Sequence, residues 1–264
     1  QVKYINNIKV LIQFFMKLVS IIIPYFRKKD HINSAVISVL KQTYQNFELI
    51  IVYDDPDHSD LPLILNIKKL DRRIEVIINK TNIGAGLSRN VGIDISKGRY
   101  LAFLDSDDVW ESNKLEKQIH FMEINNYYAT HTSYSIVDLN NTIKSTRVAK
   151  ILNFKNLLKS CDIGLSTVVI RKDLLINNLK FPAIKTKEDY VLWLLISKNG
   201  QAFYPLEDIL TKWKISKGSL SSSIIRNLID GYIVYYRYMK FSFITSFLLL
   251  LQLCFFYLWK NLKY

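Results

Sequence analysis

Three carboxylates fall within four residues at Asp105-Ser106-Asp107-Asp108, directly behind the apolar run Tyr100 to Leu104. The run reads as a buried strand. Carboxylates at a dry strand end are costly unless a cation meets them. With phosphate oxygens they make a hard site that suits Mg²⁺ or Mn²⁺, and ligands of open α/β sheets sit beyond the carboxyl ends of strands. The stretch therefore reads as a divalent-metal and phosphate site; the competing reading is a polar loop that caps the next helix. A second acidic cluster, Asp54-Asp55-Pro56-Asp57, closes the apolar run Phe47 to Tyr53. A third acidic pair, Glu188-Asp189, opens a helical pattern. Acids there favour the helix dipole without any catalysis, and equally supply a carboxylate able to take a proton from a hydroxyl.

The elements that must position these acids alternate. Leu18 to Ile23 is an apolar run closed by Pro24, with Asp30 as N-cap of a helix carrying Ile32, Ala35, Val36, Val39 and Leu40. Phe47 to Tyr53 is the second strand, Leu61 to Leu70 a helix, Ile74 to Ile78 the third strand and Tyr100 to Leu104 the fourth. Between the last two, Gly84 to Ile95 forms a helix that Gly98 is placed to end. Strand–helix alternation predicts a parallel sheet covered on both faces. Its carboxyl ends share one edge, so Asp54/Asp55 and Asp105/Asp107 are expected to line one cleft. Gly84-Ala85-Gly86 lacks the third glycine of a dinucleotide fingerprint, because Arg89 stands there, and it follows the third strand. The amides at that helix start are free to face an anion.

The totals set bounds. The chain has 264 residues, 49% hydrophobic, enough for a sizeable core, and a net charge of +13 that favours polyanionic partners. Nucleic acid is not favoured, because the basic residues are scattered and no nucleic-acid module is present. Cys161 and Cys254 lie far apart, so neither a disulfide framework nor metal-ligand spacing follows, and a reducing, cytosolic setting is the default. Residues 1–16 read as an extension of doubtful relevance, with Met16-Lys17-Leu18-Val19-Ser20 running straight into a strand.

Several stretches, in order, resemble family 2 glycosyltransferases of the bacterial surface-polysaccharide type: Val19-Ser20-Ile21-Ile22-Ile23-Pro24-Tyr25, Ser38 to Val52, Asn82-Ile83-Gly84-Ala85-Gly86-Leu87-Ser88-Arg89-Asn90, Leu104-Asp105-Ser106-Asp107-Asp108 (the family's DxD segment) and Glu188-Asp189-Tyr190. The resemblance implies a GT-A fold, a Rossmann-like, mostly parallel sheet with helices on both faces. It implies a donor-binding half at 17–110 and an acceptor-binding half at 111–220. Pro24, Tyr25, Asp54, Asp55, Asn82, Gly84, Arg89, Asp105 and Ser106 would hold a nucleoside-diphosphate sugar, a UDP-sugar being favoured. Within that set Asp55 would contact the base, with Asp54 beside it, and Asp105 would approach the ribose or the metal. Asp107 would be the direct ligand of Mn²⁺ or Mg²⁺, and Asp189, with Glu188 adjacent, the general base of an inverting transfer. The chain departs from the pattern where Pro56-Asp57-His58 follows the acidic pair instead of glycine and serine, which stiffens that loop. His58 reads as an exposed loop residue.

In the second half, Tyr127 to Arg147 reads as strands with a hairpin at Asn140-Asn141, Gly164 to Ile170 as a strand and Ile209 to Ile215 as the last one. The resemblance implies that the region of Trp213-Lys214 and the Ser219 to Ser223 loop can close over the donor; Lys214 reads either as a diphosphate partner or as a solvated lysine. Residues 221–264 form an apolar helical tail. Phe241 to Trp259 has no charged residue and carries aromatic flanks, which fits a single span, a helix lying in the membrane surface or a helix packed on the catalytic domain. Together these features predict a metal-dependent glycosyltransferase at the cytoplasmic side of the plasma membrane, acting on a glycan or lipid-linked acceptor. The rivals are a non-catalytic membrane-anchored nucleotide- or glycan-binding subunit and a sugar nucleotidyltransferase.

Overall fold

The computed structural model describes residues 17–215 and 224–262. The expected extension before residue 17 and the Ser219 to Ser223 loop lie outside them. In chain order the elements are β1 (Val19–Tyr25), α1 (Lys29–Leu40), β2 (Phe47–Tyr53), α2 (Leu61–Lys68), β3 (Ile74–Ile78), α3 (Ala85–Ile95), β4 (Tyr100–Phe103), β5 (Val109–Trp110), α4 (Lys114–Asn125), β6 (Ala129–Val137), β7 (Ile143–Arg147), α5 (Phe154–Leu157), β8 (Val169–Arg171), α6 (Glu188–Lys198), β9 (Tyr204–Lys214), α7 (Ile224–Ile233) and α8 (Phe243–Leu262). A π-helical turn, Val234–Tyr238, continues α7.

The strands form one sheet in the order β3-β2-β1-β4-β8-β6-β9-β5, with β7 beside β6. β1 lies parallel to both β2 and β4, and β2 parallel to β3. From β8 onwards the pairing is mixed: β8 is antiparallel to β4 and β6, while β9 runs parallel to β6 and antiparallel to β5. The expected mostly parallel sheet therefore holds for the first half only. Strands such as β1, apolar but for Ser20, are buried on both faces. Alternate residues serve opposite layers: Val19, Ile21 and Ile23 pack with α1, α2 and α4, whereas Ile22 packs with Ile93 of α3 and with α6.

Several local expectations change. Asp30 lies in the first turn of α1 behind Lys28 and makes no capping bond. Helix α3 ends at Ser96, and Gly98 serves a close approach instead. A Cβ there would lie 2.6 Å from Ser20 N and 2.8 Å from Leu18 O, so only glycine fits beside β1. Gly164 to Ile170 is not one strand: Leu165–Thr167 is a 3-10 turn and β8 starts at Val169. The hairpin between β6 and β7 turns at Asp138–Thr142, with Asn141 left-handed. No helix of the described residues is long and apolar enough to cross a membrane. Of the readings open for the tail, the single span is therefore excluded for the described residues and the packed helix is seen: α8 folds back along α7 and buries Leu253 in the core layer of α6.

One buried charge has a measurable consequence. Lys114, at the start of α4, is fully buried, with its ammonium 4.2 Å from the Trp110 ring centroid and donating to Gln118 Oε1 at 2.8 Å. Burial lowers its pKa to about 7. Below that pH the folded chain must hold a buried cation. Above it only the unfolded chain keeps the proton, so stability rises with pH from about 7 towards the unfolded lysine value. The expected slope is at most about 1.4 kcal/mol per pH unit. Urea unfolding at pH 7 and pH 9 should show this rise in the wild type, and Lys114→Met should remove it.

Candidate active site

The parallel register brings three strand ends to one edge: Tyr25 pairs with Tyr53, and Ile22 with Phe103. Both acids behind β2 are buried and point to different tasks. Asp54 Oδ1 accepts from Asn79 Nδ2 (2.7 Å) and Ile83 N (2.9 Å), and Oδ2 accepts from Gly84 N at 2.8 Å. The carbonyl of Asp54 accepts from Asn82 Nδ2 at 3.0 Å. Gly84, at φ +88, supplies the turn that aims these amides at one carboxylate. The anion expected at the start of α3 is thus an internal one. Asp54, Asn82 and Gly84, expected to hold the donor, pin the 79–84 loop to the sheet edge.

Asp55 faces the other way. It accepts from Arg27 Nε at 3.0 Å and from Asp57 N at 3.1 Å. Burial works to raise its pKa, but the Arg27 bond and its charge outweigh that and hold the carboxyl below its ordinary value. Beside it Tyr25 and Tyr53 stack at 5.4 Å, and His58, exposed as expected, stacks on Tyr53 at 5.9 Å. Tyr25 donates to Asp60 at 2.7 Å. Pro24 is buried within β1.

The acids behind β4 separate into three roles. Asp107 carries the Lys28 ammonium at 2.8 Å. Asp105 accepts from Arg89 Nη2 at 2.7 Å, and Arg89 Nη1 donates to Glu188 at 2.7 Å. Arg89, almost wholly buried, therefore ties the end of β4 to the start of α6. Burial works against its charge, yet the two carboxylates raise its pKa. Asp108 turns inward, accepting from Ser166 Oγ at 2.5 Å and Lys214 N at 3.1 Å. It locks the end of β9 and the 165–167 turn to the acidic loop, so it does not join Asp105 and Asp107. Ser106 is buried between them.

Asp189 has no cation beside it: among the described residues no lysine or arginine pairs with it, and its carboxylate accepts from Tyr190 N at 2.7 Å. Burial, then the neighbouring Glu188 charge, push its pKa up to about 7. Its approach is held from outside the sheet. Lys187, at φ +65, is left-handed, and Thr186 before it donates through both N (3.1 Å) and Oγ1 (2.7 Å) to Asp230 of α7. Asp230→Ala should let this turn relax. Misplacing a catalytic group by about 1 Å costs on the order of 100-fold, so kcat should fall while donor KM stays near the wild-type value. Asp230→Asn, which keeps an acceptor, should recover most of it.

The residues fit a divalent cation. Asp107 already takes a cationic partner in Lys28. Burial, with Asp107 adding, raises the pKa of Asp105 despite Arg89, the response of a carboxylate short of positive charge. Among the described residues no three acids or imidazoles converge into a closed cage. A cation held by Asp107 and Asp105 would complete its shell with water and phosphate oxygens, the habit of Mg²⁺ and Mn²⁺.

Comparison with known proteins decides the family. The model of glycosyl transferase family 2 matches residues 20–175. The chain belongs to that family. It is 39% identical over 212 residues to the Escherichia coli UDP-Glc:alpha-D-GlcNAc-diphosphoundecaprenol beta-1,3-glucosyltransferase WfgD, covering 80% of this chain and 82% of that one. Among solved structures, S. aureus TarS 1-349 in complex with UDP-GlcNAc superposes with a TM-score of 0.67 at 19% identity, over 89% of this chain and 70% of that one. The mannosyltransferase PcManGT from Pyrobaculum calidifontis, in complex with GDP-Man and Mn²⁺, gives 0.65 at 12% identity, over 85% and 64%. The mixed α/β architecture of this glycosyltransferase is accordingly consistent with the GT-A fold.

The family 2 site contains groups that sequence reasoning missed. Arg27 and Lys28 carry a signal, since a basic run directly behind a strand end faces the same edge as the acids. Ser166 carries none. Lys214, read as a diphosphate partner or a solvated lysine, is placed by its backbone N–H on Asp108.

Proposed function

We propose that this family 2 enzyme moves a sugar from a uridine-diphosphate donor to a hydroxyl of a lipid-linked glycan, with inversion, in surface polysaccharide synthesis at the cytoplasmic side of the plasma membrane. WfgD is named for a UDP-Glc donor and a diphosphoundecaprenol-linked acceptor, and TarS was solved with UDP-GlcNAc. The single observation that carries the mechanism is Asp189: an acid raised to about 7, on a different element from Asp105 and Asp107, linked to Asp105 through its neighbour Glu188 and Arg89.

In this reading Asp55 and Arg27 recognise the base end of the donor, beside the Tyr25–Tyr53 stack. Asp107, with Asp105, would hold a divalent ion, which when bound would offset charge on the departing diphosphate. Asp189 takes the acceptor hydroxyl proton as that oxygen bonds to the anomeric carbon. The bond from that carbon to the diphosphate oxygen breaks, and the electron pair leaves with UDP. Glu188, spent on Arg89, positions Asp189 and keeps it basic by its charge. A pKa near neutrality suits a general base at cytoplasmic pH.

A panel of nucleotide sugars with a prenyl-diphosphate-linked GlcNAc acceptor, with and without Mn²⁺, scored by released nucleoside diphosphate and by product linkage, tests this reading. Turnover of one UDP-sugar into a β-linked product is expected from an α-linked donor. Turnover only with another nucleotide, or with retained configuration, overturns it.

A further inference from the structure

The C-terminal helices present an apolar face that the core does not use. On α7, Ile225, Leu228 and Ile229 are exposed at helical spacing. On α8, Phe243, Phe247, Leu248, Leu251 and Phe255 form a second exposed stripe, opposite the side that buries Ser246 and Leu253. The two stripes are continuous. Tyr232 of α7 meets Phe243 edge-on at 5.8 Å and stacks on Tyr236 at 5.5 Å. Such a patch on a soluble surface marks a binding face.

Charge selects the occupant. Residues 224–262 hold Arg226, Arg237, Lys240 and Lys260, and a single acid, Asp230. That acid is buried and bound to Thr186, so it offsets nothing at the surface. Arg226, Arg237 and Lys240 are exposed, and the whole chain carries +13. A second copy docked face to face would bring like charges together. An anionic lipid leaflet instead meets apolar residues, tyrosine rings and cations in the arrangement that suits a helix lying at the interface.

We propose that the outer faces of α7 and α8 dock, without spanning, into an anionic phospholipid leaflet. The inference rests on the reading that the acceptor is lipid-linked, and it names the surface that brings the enzyme to it. The same α7 carries Asp230, whose bonds hold the turn before Asp189, so docking places the base-bearing end of α6 next to the leaflet where a prenyl-linked acceptor lies.

The test is co-sedimentation of the full chain with vesicles of phosphatidylcholine alone or mixed with phosphatidylglycerol. Transfer to a water-soluble acceptor analogue and melting temperature are measured on the same samples. The wild type should pellet with the anionic vesicles and be released by salt. A Phe247→Glu, Leu248→Glu double variant should lose binding by at least about tenfold, with soluble transfer and melting temperature unchanged. Arg237→Glu with Lys240→Glu should remove the preference for anionic lipid. Wild-type protein that stays in the supernatant, or a double variant that binds equally, overturns the proposal. So does a wild-type dimer that the double variant splits while neither pellets. Soluble transfer that persists without vesicle binding would sink only this inference; loss of transfer from every donor would instead sink the functional reading beneath it.

Discussion

Asp189→Asn is expected to lower transfer by about 100- to 10,000-fold, the range for removal of a positioned general base, while UDP binding stays near the wild-type value. The wild-type rate should itself depend on pH in a stated direction. The base works deprotonated and its pKa in the free enzyme is raised to about 7, so kcat/KM should climb as pH rises through 7 and level off above it. The residual rate of the asparagine variant should lose this limb. Stability supplies an independent check with the opposite sign. A carboxyl whose folded pKa lies above its unfolded value favours the protonated state, so its contribution is fully present below about 4 and is lost as pH rises through about 7. Asp189→Asn should therefore unfold at a higher temperature than the wild type at pH 8, and with little difference at acid pH. An inactive but stabilised variant identifies a group held in an unfavourable environment for use. Retained transfer would move the base role to another acid, and Glu188, already bound to Arg89, would be the next to test.

The parallel strands were legible because buried strands of this kind read as near-continuous apolar runs, as β1, β2 and β4 do with only Ser20 and Glu48 interrupting them. Their shared edge followed from topology alone. The direction of individual side chains did not. Asp54 and Asp55 are neighbours in sequence, and successive residues leaving a strand point to opposite sides. One acid closes the 79–84 loop and the other meets Arg27, and nothing in the pair Asp-Asp says which. Arg89 was visible as the residue that spoils a glycine fingerprint and, through the family resemblance, as a donor-binding residue; neither reading shows that its burial and two carboxylates make it the link between β4 and α6. The mixed half of the sheet was harder still, because β8 has three residues and borrows its register from β4 and β6. The tail was read as apolar, which it is. Packing on the catalytic domain was one of its readings, but the sequence did not name α7 as the partner, nor which side of α8 is buried and which exposed.

Asp107→Ala is expected to remove the response of turnover to Mn²⁺, lowering donor turnover by at least about 100-fold, and to weaken metal-assisted UDP binding in calorimetry. It should leave the fold intact, because Asp107 is partly exposed and its bond is to Lys28 on a loop. Asp105→Asn must behave differently. Asp105 is one of the two carboxylates that keep the buried Arg89 paired, so the substitution should loosen the link between β4 and α6 as well as lower activity. Lys28→Ala separates the two functions of the Asp107 partner. Its ammonium competes with a metal ion for one carboxylate, so removing it should lower the Mn²⁺ concentration needed for half-maximal turnover. Donor KM should rise at the same time if the freed ammonium serves the diphosphate once the ion is bound. A Mn²⁺ requirement unchanged in Asp107→Ala would exclude this carboxylate as a ligand. A Mn²⁺ titration unchanged in Lys28→Ala would mean that the 2.8 Å pair is maintained beside the ion, with the cation resting on Asp105 and the donor instead.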